Sequence, residues 1–305
     1  MSASVFPASL PSRAISYREG LGTTAHVIQA RRLLSTKIET DSPTLIVVRS
    51  GTKQLRWPGG KHTLQAGGMI AVDGNQSFDV INTPDKRSGL YEADWLVCSN
   101  EVINEFALRA KGRRIVDARA IDRCPTAMLQ SYEHARSGLD PSVPLEVAKS
   151  RFTEMLEWLD HFGGYFAVGS QKRVSAQIRR LLARNMAADL TAPDAAKRLG
   201  LSEATLRRRL VEEDTQFQRL IIDARMSHAL TLLQVTDLSV TAVASEVGYD
   251  SPSRFSSRFK ERFGCSPSDI RPPAAATNSV QVPDVVTVGA RSKEIASNPP
   301  LVRKQ

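Results

Sequence analysis

The sequence predicts an α+β multidomain protein: an N-terminal small β-barrel of the cupin-like kind with following helices, then a C-terminal all-α domain. Three observations support this prediction. The first hundred residues read as short strands rather than helices, helical periodicity dominates after residue 99, and two similar helix-turn-helix patterns lie between residues 174 and 271. A chain of 305 residues is long enough for two domains, each with its own core.

The predicted strands are short and are separated by turn-forming glycine, proline, asparagine and aspartate. They cover residues 44–49, 53–57, 62–65, 69–72, 77–81 and 91–98. Strands at spacings of roughly 8–12 residues are typical of a sandwich or barrel. Barrel mouths bind small molecules, so four side chains are candidate liners of an effector pocket; the alternative is that each belongs to the barrel core. They are Trp57, His62, Phe78 and Trp95.

Three amphipathic helices are predicted after the strands, over residues 101–111, 124–136 and 145–162. The third carries the most regular apolar face, with apolar residues three and four apart. This helix either closes the open side of the barrel or pairs with the same helix of a second copy. Gly163-Gly164 and Gly169-Ser170 favour a linker after it.

These patterns divide the chain into four parts. We expect an N-terminal domain that senses an effector or dimerises over residues 1–165, a linker over 166–173, a helical domain over 174–273 and a disordered tail over 274–305. The helical domain is the most basic part, since residues 171–273 hold 17 basic and 12 acidic residues, against 20 and 18 in residues 1–170. With a net charge of +9, the chain favours anionic partners such as nucleic acid.

The sequence argues against a metal site, a cofactor and an enzyme. The three cysteines form no Cys-x-x-Cys pair, and the strand region holds only His26 and His62, whereas a cupin metal site needs two nearby histidines on one strand. Neither a phosphate-binding glycine loop nor a Gly-x-Ser-x-Gly motif occurs. There is no apolar run of about 18 residues and no signal-peptide pattern, so we expect a cytoplasmic protein without a membrane partner.

The first helix-turn-helix pattern begins near Pro193 and turns at Gly200, a candidate left-handed helix cap. Ser202 is a candidate N-cap for the next helix. Leu206 and Leu210 lie four residues apart on its inner face, which turns the intervening arginines outward.

The second pattern repeats these features. An apolar face begins at Val240 and ends at Gly248, Ser251-Pro252 starts the next helix, and Phe255 and Phe259 are its inner residues. The segment 217–235 between the two patterns predicts one helix of 19 residues, about 28 Å long at 1.5 Å per residue. Because successive major-groove faces of B-DNA recur about 34 Å apart, such a rod could hold two helices over adjacent groove segments.

Residues 174–271 resemble the tandem helix-turn-helix domain of AraC/XylS-type bacterial transcription regulators. The resemblance rests on residues 195–202 (AAKRLGLS), 206–210 (LRRRL), 240–249 (VTAVASEVGY) and 253–264 (SRFSSRFKERFG), followed by Ser266-Pro267. One departure is Asp214, where such proteins often have glycine; a positive φ there would strain aspartate only modestly.

The resemblance implies that outward residues in the first turns of each second helix meet base edges. These are Glu203, Ala204, Arg207, Arg208, Ser253, Arg254, Ser256 and Ser257. Arginine is the usual bidentate reader of guanine. Four further cations are better placed for phosphates, namely Arg209, Arg258, Lys260 and Arg262.

The prediction is therefore a sequence-specific transcription regulator that binds double-stranded DNA. The family resemblance alone adds that it activates transcription, contacts RNA polymerase, and responds to a small-molecule or protein effector or forms a homodimer. The alternative is a small-molecule-binding barrel whose helical domain mediates protein contacts. Nonspecific nucleoid binding is a third reading, which predicts DNA affinity without sequence preference.

Overall fold

The computed structural model describes residues 15–40, 42–74, 76–168 and 173–270. Within these ranges the chain forms twelve strands, nine α-helices and one short 3-10 helix. The predicted tail 274–305 lies outside the described residues, as do residues 169–172 of the predicted linker.

The strands form two antiparallel sheets and one small parallel pair. The six-stranded sheet has the order β1-β2-β9-β4-β7-β11 and the four-stranded sheet the order β3-β8-β5-β6, while β10 pairs with β12. Their bounds are β1 Ser16–Arg18, β2 Gly22–Gln29, β3 Leu33–Thr40, β4 Thr44–Ser50, β5 Thr52–Trp57, β6 Gly60–Gln65, β7 Met69–Val72, β8 Gln76–Thr83, β9 Tyr91–Cys98, β10 Arg113–Arg114, β11 Ala118–Ile121 and β12 Gly164–Tyr165.

The helices follow β9 along the chain, as the periodicity predicts, with three short strands, β10 to β12, between them. Their bounds are α1 Asn100–Ala107, α2 Thr126–Ser137, α3 Leu145–His161, α4 Val174–Ala183, α5 Ala192–Arg198, α6 Glu203–Glu212, α7 Phe217–Val235, α8 Val240–Glu246 and α9 Pro252–Phe263, with the 3-10 helix at Pro267–Ile270.

The expected barrel is not closed in the described residues. The strand ladders end at β1 and β11 in one sheet and at β3 and β6 in the other, and no ladder joins the two sheets. Apolar side chains from both sheets nevertheless share one core, to which Val235 at the end of α7 also belongs. Helix α7 of the C-terminal domain thus covers apolar surface that a closed barrel would bury by itself. The apolar side chains of the open sheets are therefore still removed from water.

Helices α1, α2 and α3 pack on the other face of the six-stranded sheet. Strand residues such as Leu45 and Leu96 share a core there with Phe152 and Leu159 of α3. The apolar face of α3 therefore packs inside the N-terminal domain, on the outer face of this sheet. Pairing of α3 with a second copy stays a prediction.

The glycine pair at residues 163 and 164 belongs to the N-terminal fold. Gly164 lies in β12, which pairs in parallel with β10, and Gly163 accepts a backbone hydrogen bond from Arg113. Phe166, where the predicted linker begins, is 1% exposed and packs in the core that contains α1–α3. The ordered N-terminal packing therefore extends past residue 165.

A buried ion network ties α2 to the six-stranded sheet. Asp94 on β9 accepts hydrogen bonds from His26 Nδ1 at 2.8 Å and Arg49 Nε at 2.5 Å, and its Oδ2 lies 3.1 Å from Arg136 Nη1. Glu133 on α2 pairs with both arginines. Burial alone would raise the pKa of Asp94, but the His26 hydrogen bond and the charges of Arg136 and Arg49 hold that pKa below its ordinary value.

We expect the substitution Asp94→Asn to lower the free energy of unfolding by about 3 kcal/mol, because it leaves two arginines without their buried anion. A carboxyl whose pKa is lower in the folded than in the unfolded protein stabilises the folded state at pH values above its unfolded pKa. This contribution to the free energy of unfolding is lost as the pH falls through the pKa of the folded state. Urea unfolding between pH 7 and pH 3 measures both effects.

The matched control is Glu146→Gln, which removes the exposed Glu146–Lys149 pair on α3. It should leave the unfolding midpoint at pH 7 unchanged, since exposed pairs contribute little. Equal stability of the Asp94 and Glu146 variants would contradict a stabilising role for the network.

Candidate nucleic-acid interface

The first helix pair, α5 and α6, is built by local signals at its turn. The Thr191 hydroxyl caps α5 by accepting from the Asp194 amide, and the Ser202 hydroxyl caps α6 by accepting from the Thr205 amide. Gly200 between them has a φ of +66°. Leu206 and the other inner leucine of α6 are buried, so the opposite face of α6 points to solvent.

The second pair, α8 and α9, has the same construction. Ser239 caps α8, Gly248 turns the chain with a φ of +78°, and Ser251 caps α9 by accepting from the Arg254 amide. Three phenylalanines spaced four apart form the buried face of α9, with Phe255 and Phe259 at 0% exposure and Phe263 at 6%.

Helix α7 joins the two pairs and contributes to both cores. Its first residues pack with α4, α5 and α6, and its later residues pack with α8, α9 and the 3-10 helix. The first core takes Phe217, Leu220 and Ile221 from α7; the second takes Met226, Ala229, Leu230, Leu232 and Leu233. Each helix pair is therefore anchored to one part of a single 19-residue rod.

The structure places the predicted base-contact residues of α6 at its exposed N-terminal half. Arg207 and Arg208 have side chains 68% and 72% exposed. Glu203 accepts from Arg207 Nε at 2.9 Å, one helical turn away, and Arg208 Nε lies 3.8 Å from Glu212. Ala204 is exposed. The first helix thus presents two arginines, one of them already held in place by a glutamate.

The corresponding residues of α9 occupy a similar position. Ser253, Arg254 and Ser257 are exposed, and Ser256 is half-buried. The apolar face of α9 lies in the core, so these polar side chains project away from it. Both helices therefore present short polar and arginine side chains near their N-termini, where a recognition helix meets base edges.

The four predicted phosphate-contact residues differ in their surroundings. Arg209 and Lys260 are exposed, and Arg258 donates to Glu261 at 2.9 Å. Arg262 is instead 14% exposed and donates to Asp223 of α7 at 3.0 Å. A phosphate contact by Arg262 would require it to leave this position.

The sequence analysis missed a seam between β3 and the helical domain. Besides Asp223, Arg262 donates to the Thr36 hydroxyl at 3.1 Å and to the Thr36 carbonyl. Arg31, just before β3, lies 3.3 Å from Asp269, and Glu39 pairs with Arg179 of α4. These partners are more than 100 residues apart along the chain, so no local pattern could indicate them.

A cavity of about 640 Å³ lies between the two sheets and α7. Of the predicted pocket residues, Phe78 and Trp95 line this cavity. Trp57 packs edge-on against Phe78 at 5.9 Å between ring centres, and His62 lies 33% exposed with its Nε2 at 2.7 Å from Asp122. The structure therefore brings two of the four candidates to one cavity.

The sequence analysis did not single out the buried amine of this cavity. Lys53 on β5 is 7% exposed, and burial lowers its pKa from 10.5 to about 8. Its Nζ donates to Asn82 Oδ1 at 3.1 Å. Its sequence neighbours Thr52 and Gln54 are polar, so the signal that could have identified it is the alternation that puts Lys53 on the same strand face as Leu55.

Within the described ranges, no group of three or more histidine, cysteine, aspartate or glutamate side chains is arranged to hold a metal ion. No helix in the same residues is both long and apolar enough to cross a bilayer.

Comparison with known proteins identifies the C-terminal segment. The family model described as "Helix-turn-helix domain" matches residues 195–272. The virulence regulon transcriptional activator VirF of Shigella flexneri is 34% identical over 101 residues, which is 33% of this chain and 38% of VirF. The transcriptional regulator YdeO of Escherichia coli O157:H7 is 35% identical over 97 residues, 32% of this chain and 38% of YdeO. The matches thus span under two fifths of these relatives, and the segment is an AraC-type helix-turn-helix domain, as the motifs predict.

Solved structures extend the fold comparison to the N-terminal domain. An apo ToxT variant from Vibrio cholerae matches with a TM-score of 0.61 at 16% identity, covering 83% of this chain and 97% of that one. Wild-type ToxT described as bound to an unsaturated fatty acid matches with a TM-score of 0.59 at 17% identity, covering 83% and 96%. These likenesses establish a ToxT-like two-domain fold, with a sheet-rich N-terminal domain and a helical C-terminal domain.

The two interhelical glycines offer a test of the helix-turn-helix geometry. An added Cβ at Gly200 meets nothing within 4 Å, so Gly200→Ala should cost about 1 kcal/mol from the positive φ alone. An added Cβ at Gly248 lies 3.0 Å from the Ala187 Cα, so Gly248→Ala should cost roughly 2 kcal/mol. Urea unfolding of both variants measures the difference, and equal losses would contradict the close packing at Gly248.

Proposed function

We propose that this chain is a sequence-specific DNA-binding regulator of transcription that reads two adjacent major-groove segments. The observation that carries the proposal is the pair of capped, arginine-bearing helices α6 and α9, each anchored to a different part of α7. The AraC-type domain match and the regulators VirF and YdeO support it. The role is binding rather than catalysis, in the cytoplasm, with double-stranded DNA as the partner.

The dimensions of α7 suit this function. Its 19 residues span about 28 Å, close to the roughly 34 Å repeat of major-groove faces on one side of B-DNA. The helix is buried in both cores and therefore acts as a rigid spacer. A rigid spacer lets both helices bind together without the entropy loss of ordering a flexible link.

Arg208 and Arg254 are the proposed principal base readers, because guanine presents two acceptors that an arginine can bind at once. Arg207 joins them in an orientation fixed by Glu203. The remaining base-contact candidates are Ala204 and the serines of α9. Their small side chains let the helices approach the bases closely but discriminate less between bases than arginine does. Arg209, Arg258 and Lys260 are the proposed phosphate contacts, and Arg262 joins them only after leaving Asp223.

An activating role, an RNA polymerase contact and a homodimer complete the proposal. VirF is described as a transcriptional activator, which supports the sign of regulation. A two-fold dimer would place four recognition helices on two composite half-sites. The contact with RNA polymerase is proposed from the resemblance of residues 174–271 to AraC/XylS-type regulators.

We also propose that the cavity between the sheets and α7 is an effector site. Its volume of about 640 Å³ is within the range of small-molecule pockets. The sheets line it with apolar side chains such as Leu55 and Val80, and charged side chains such as Arg179 and Asp223 line it from the helical domain. The structural neighbour ToxT is described with an unsaturated fatty acid bound. Because α7 forms part of the cavity wall, an occupant touches the rod that holds both DNA-facing helices.

The variants Arg208→Ala and Arg254→Ala should each lose about 1–3 kcal/mol of specific binding and relax base preference at one position of the site. Selection of bound fragments from genomic DNA by the full chain at near-physiological salt gives the wild-type motif. We expect two parts about one helical turn apart, and loss of this enrichment in the double variant.

The matched control is Lys61→Ala, which removes an exposed cation on β6 in the N-terminal domain. It should retain the wild-type motif. Enrichment of the same motif by the double variant would contradict the assignment of these arginines as base readers.

Phosphate contacts should show a different signature. Arg209→Ala and Lys260→Ala should weaken binding to all sequences alike and each reduce the slope of log affinity against log salt by about 1. Fluorescence anisotropy across a salt series measures the slope. A helical domain that mediates only protein contacts would show little DNA affinity at any salt, and a nonspecific binder would show a steep slope without a motif.

A further inference from the structure

The cavity contains a buried amine whose recorded partners are uncharged. In the described residues, Lys53 Nζ donates to the amide oxygen of Asn82 and lies 5.8 Å from the centre of the Tyr91 ring. A buried ammonium ordinarily requires a paired carboxylate, because transferring a charge out of water is costly. Burial therefore disfavours the charged form of this amine and lowers its pKa to about 8, so the uncharged form is more populated than for a lysine in water.

A second polar group at the cavity wall also lacks a partner. The Tyr91 side chain is 0% exposed, and its hydroxyl has no hydrogen-bond partner among the described residues. Buried hydroxyls normally find a partner, so this hydroxyl is free to donate to a polar group of a ligand in the cavity. Lys53 and Tyr91 line the same cavity together with apolar side chains such as Val27, Leu55 and Val80. These sheet walls suit an apolar body next to Lys53, while charged side chains of β3 and the helical domain, such as Glu39 and Arg179, also line the cavity.

The chemistry of a desolvated lysine defines that polar group more closely. With a pKa of about 8, roughly a tenth of the Lys53 side chains are uncharged at pH 7, far more than for a lysine in water. An uncharged amine in an apolar pocket is a nucleophile that condenses with carbonyl compounds.

We propose that Lys53 is the attachment site for an aldehyde effector with an apolar body, held as an imine. The Nζ lone pair attacks the carbonyl carbon, and the carbonyl π electrons move to oxygen. The nitrogen then loses its two protons to that oxygen as the carbon–nitrogen double bond forms and one water leaves. Tyr91 supplies the hydroxyl that donates to the oxygen during this exchange, and no oxidant or reductant is needed.

The immediate neighbours of Lys53 are neutral, whereas cations such as Arg179 and Arg219 also line the cavity. A carboxylate at Lys53 would lose its own hydration, a cost that pairing with this one amine has to offset. The amide nitrogen of Asn82 donates to Gln29, so it does not turn toward a second carboxylate oxygen. A neutral carbonyl compound enters the cavity without this penalty.

The attachment site connects to the DNA-facing helices through buried polar side chains. Asn82 Nδ2 donates to Gln29 Oε1 at 3.3 Å, and Gln234 of α7 donates to the same oxygen at 3.0 Å. Forming the imine removes N–H donors from Lys53 and so changes the hydrogen bond to Asn82 at one end of this chain. The inference deepens the proposed effector site and is independent of whether the chain binds DNA.

The test is reductive trapping on the full chain. Decanal is added, the imine is reduced with sodium cyanoborohydride, and intact mass and peptide mapping locate the decyl group. We expect one adduct at Lys53, with labelling at least about tenfold faster than at the exposed Lys61, because burial keeps more of the Lys53 amine uncharged. Labelling should rise between pH 7 and pH 9, with half of the increase near pH 8.

Two variants serve as controls. Lys53→Arg keeps a cation but cannot form the imine, and Val80→Trp keeps the lysine but fills the cavity. Both should lose the Lys53-region adduct while retaining surface labelling, and thermal melting establishes that each is folded. If one variant does not fold, the peptide map of the wild-type chain still shows whether Lys53 carries the adduct.

Two outcomes would overturn the proposal. Labelling confined to exposed lysines would show that Lys53 is not a carbonyl site. Thermal stabilisation by decanoate, without any Lys53 adduct from decanal, would show an anion site in place of an imine site and would leave the effector cavity intact. Neither outcome bears on DNA binding, which is measured separately by anisotropy with the trapped and untrapped protein.

Discussion

Burial of α7 from several sides is the constraint on which the rest of the structure depends. One end of this helix completes the core of the first helix pair, and the following turns complete the core of the second. Its last residue, Val235, packs into the core shared by the two sheets. A helix with apolar residues on several faces is stable only when neighbours cover all of them. The spacing of α6 and α9 and the shape of the cavity therefore both depend on this one helix.

The six-stranded sheet separates two environments. Its outer face carries the ion network centred on Asp94, which is satisfied by paired arginines and a histidine. Its inner face lines the cavity, where Lys53 and Tyr91 are left without charged partners or, for the hydroxyl, without any partner in the described residues. Charged side chains are thus paired in the network that holds α2 on the sheet, whereas Lys53 in the cavity has no charged partner among the described residues.

The two helix pairs share one design but are not equivalent in the folded chain. The α9 pair contacts the N-terminal domain through Arg262 and Thr36, and Leu33 of β3 belongs to its core. Among the described residues, the α6 pair meets β3 at its margin, where Lys37 lies 3.7 Å from Asp214. A change at β3 therefore reaches α9 more directly than α6. The same strand lines the cavity, so the proposed effector site and the proposed DNA interface both contact one element.

The helical domain was largely predictable from sequence because its signals are local. Caps such as Ser202 and Ser251, the positive φ at Asp214 and the bounds of α7 depend on residues within a few positions of one another. Sheet closure, the partners of Arg262 and the hydrogen bond between Gln29 and Gln234 depend on residues distant in sequence. Strand β2 carried no alternating signal because both of its faces are buried. Periodicity and capping thus indicated most of the helices and six of the twelve described strands, while long-range packing decided where the cavity forms and which cations remain available to a ligand or to DNA.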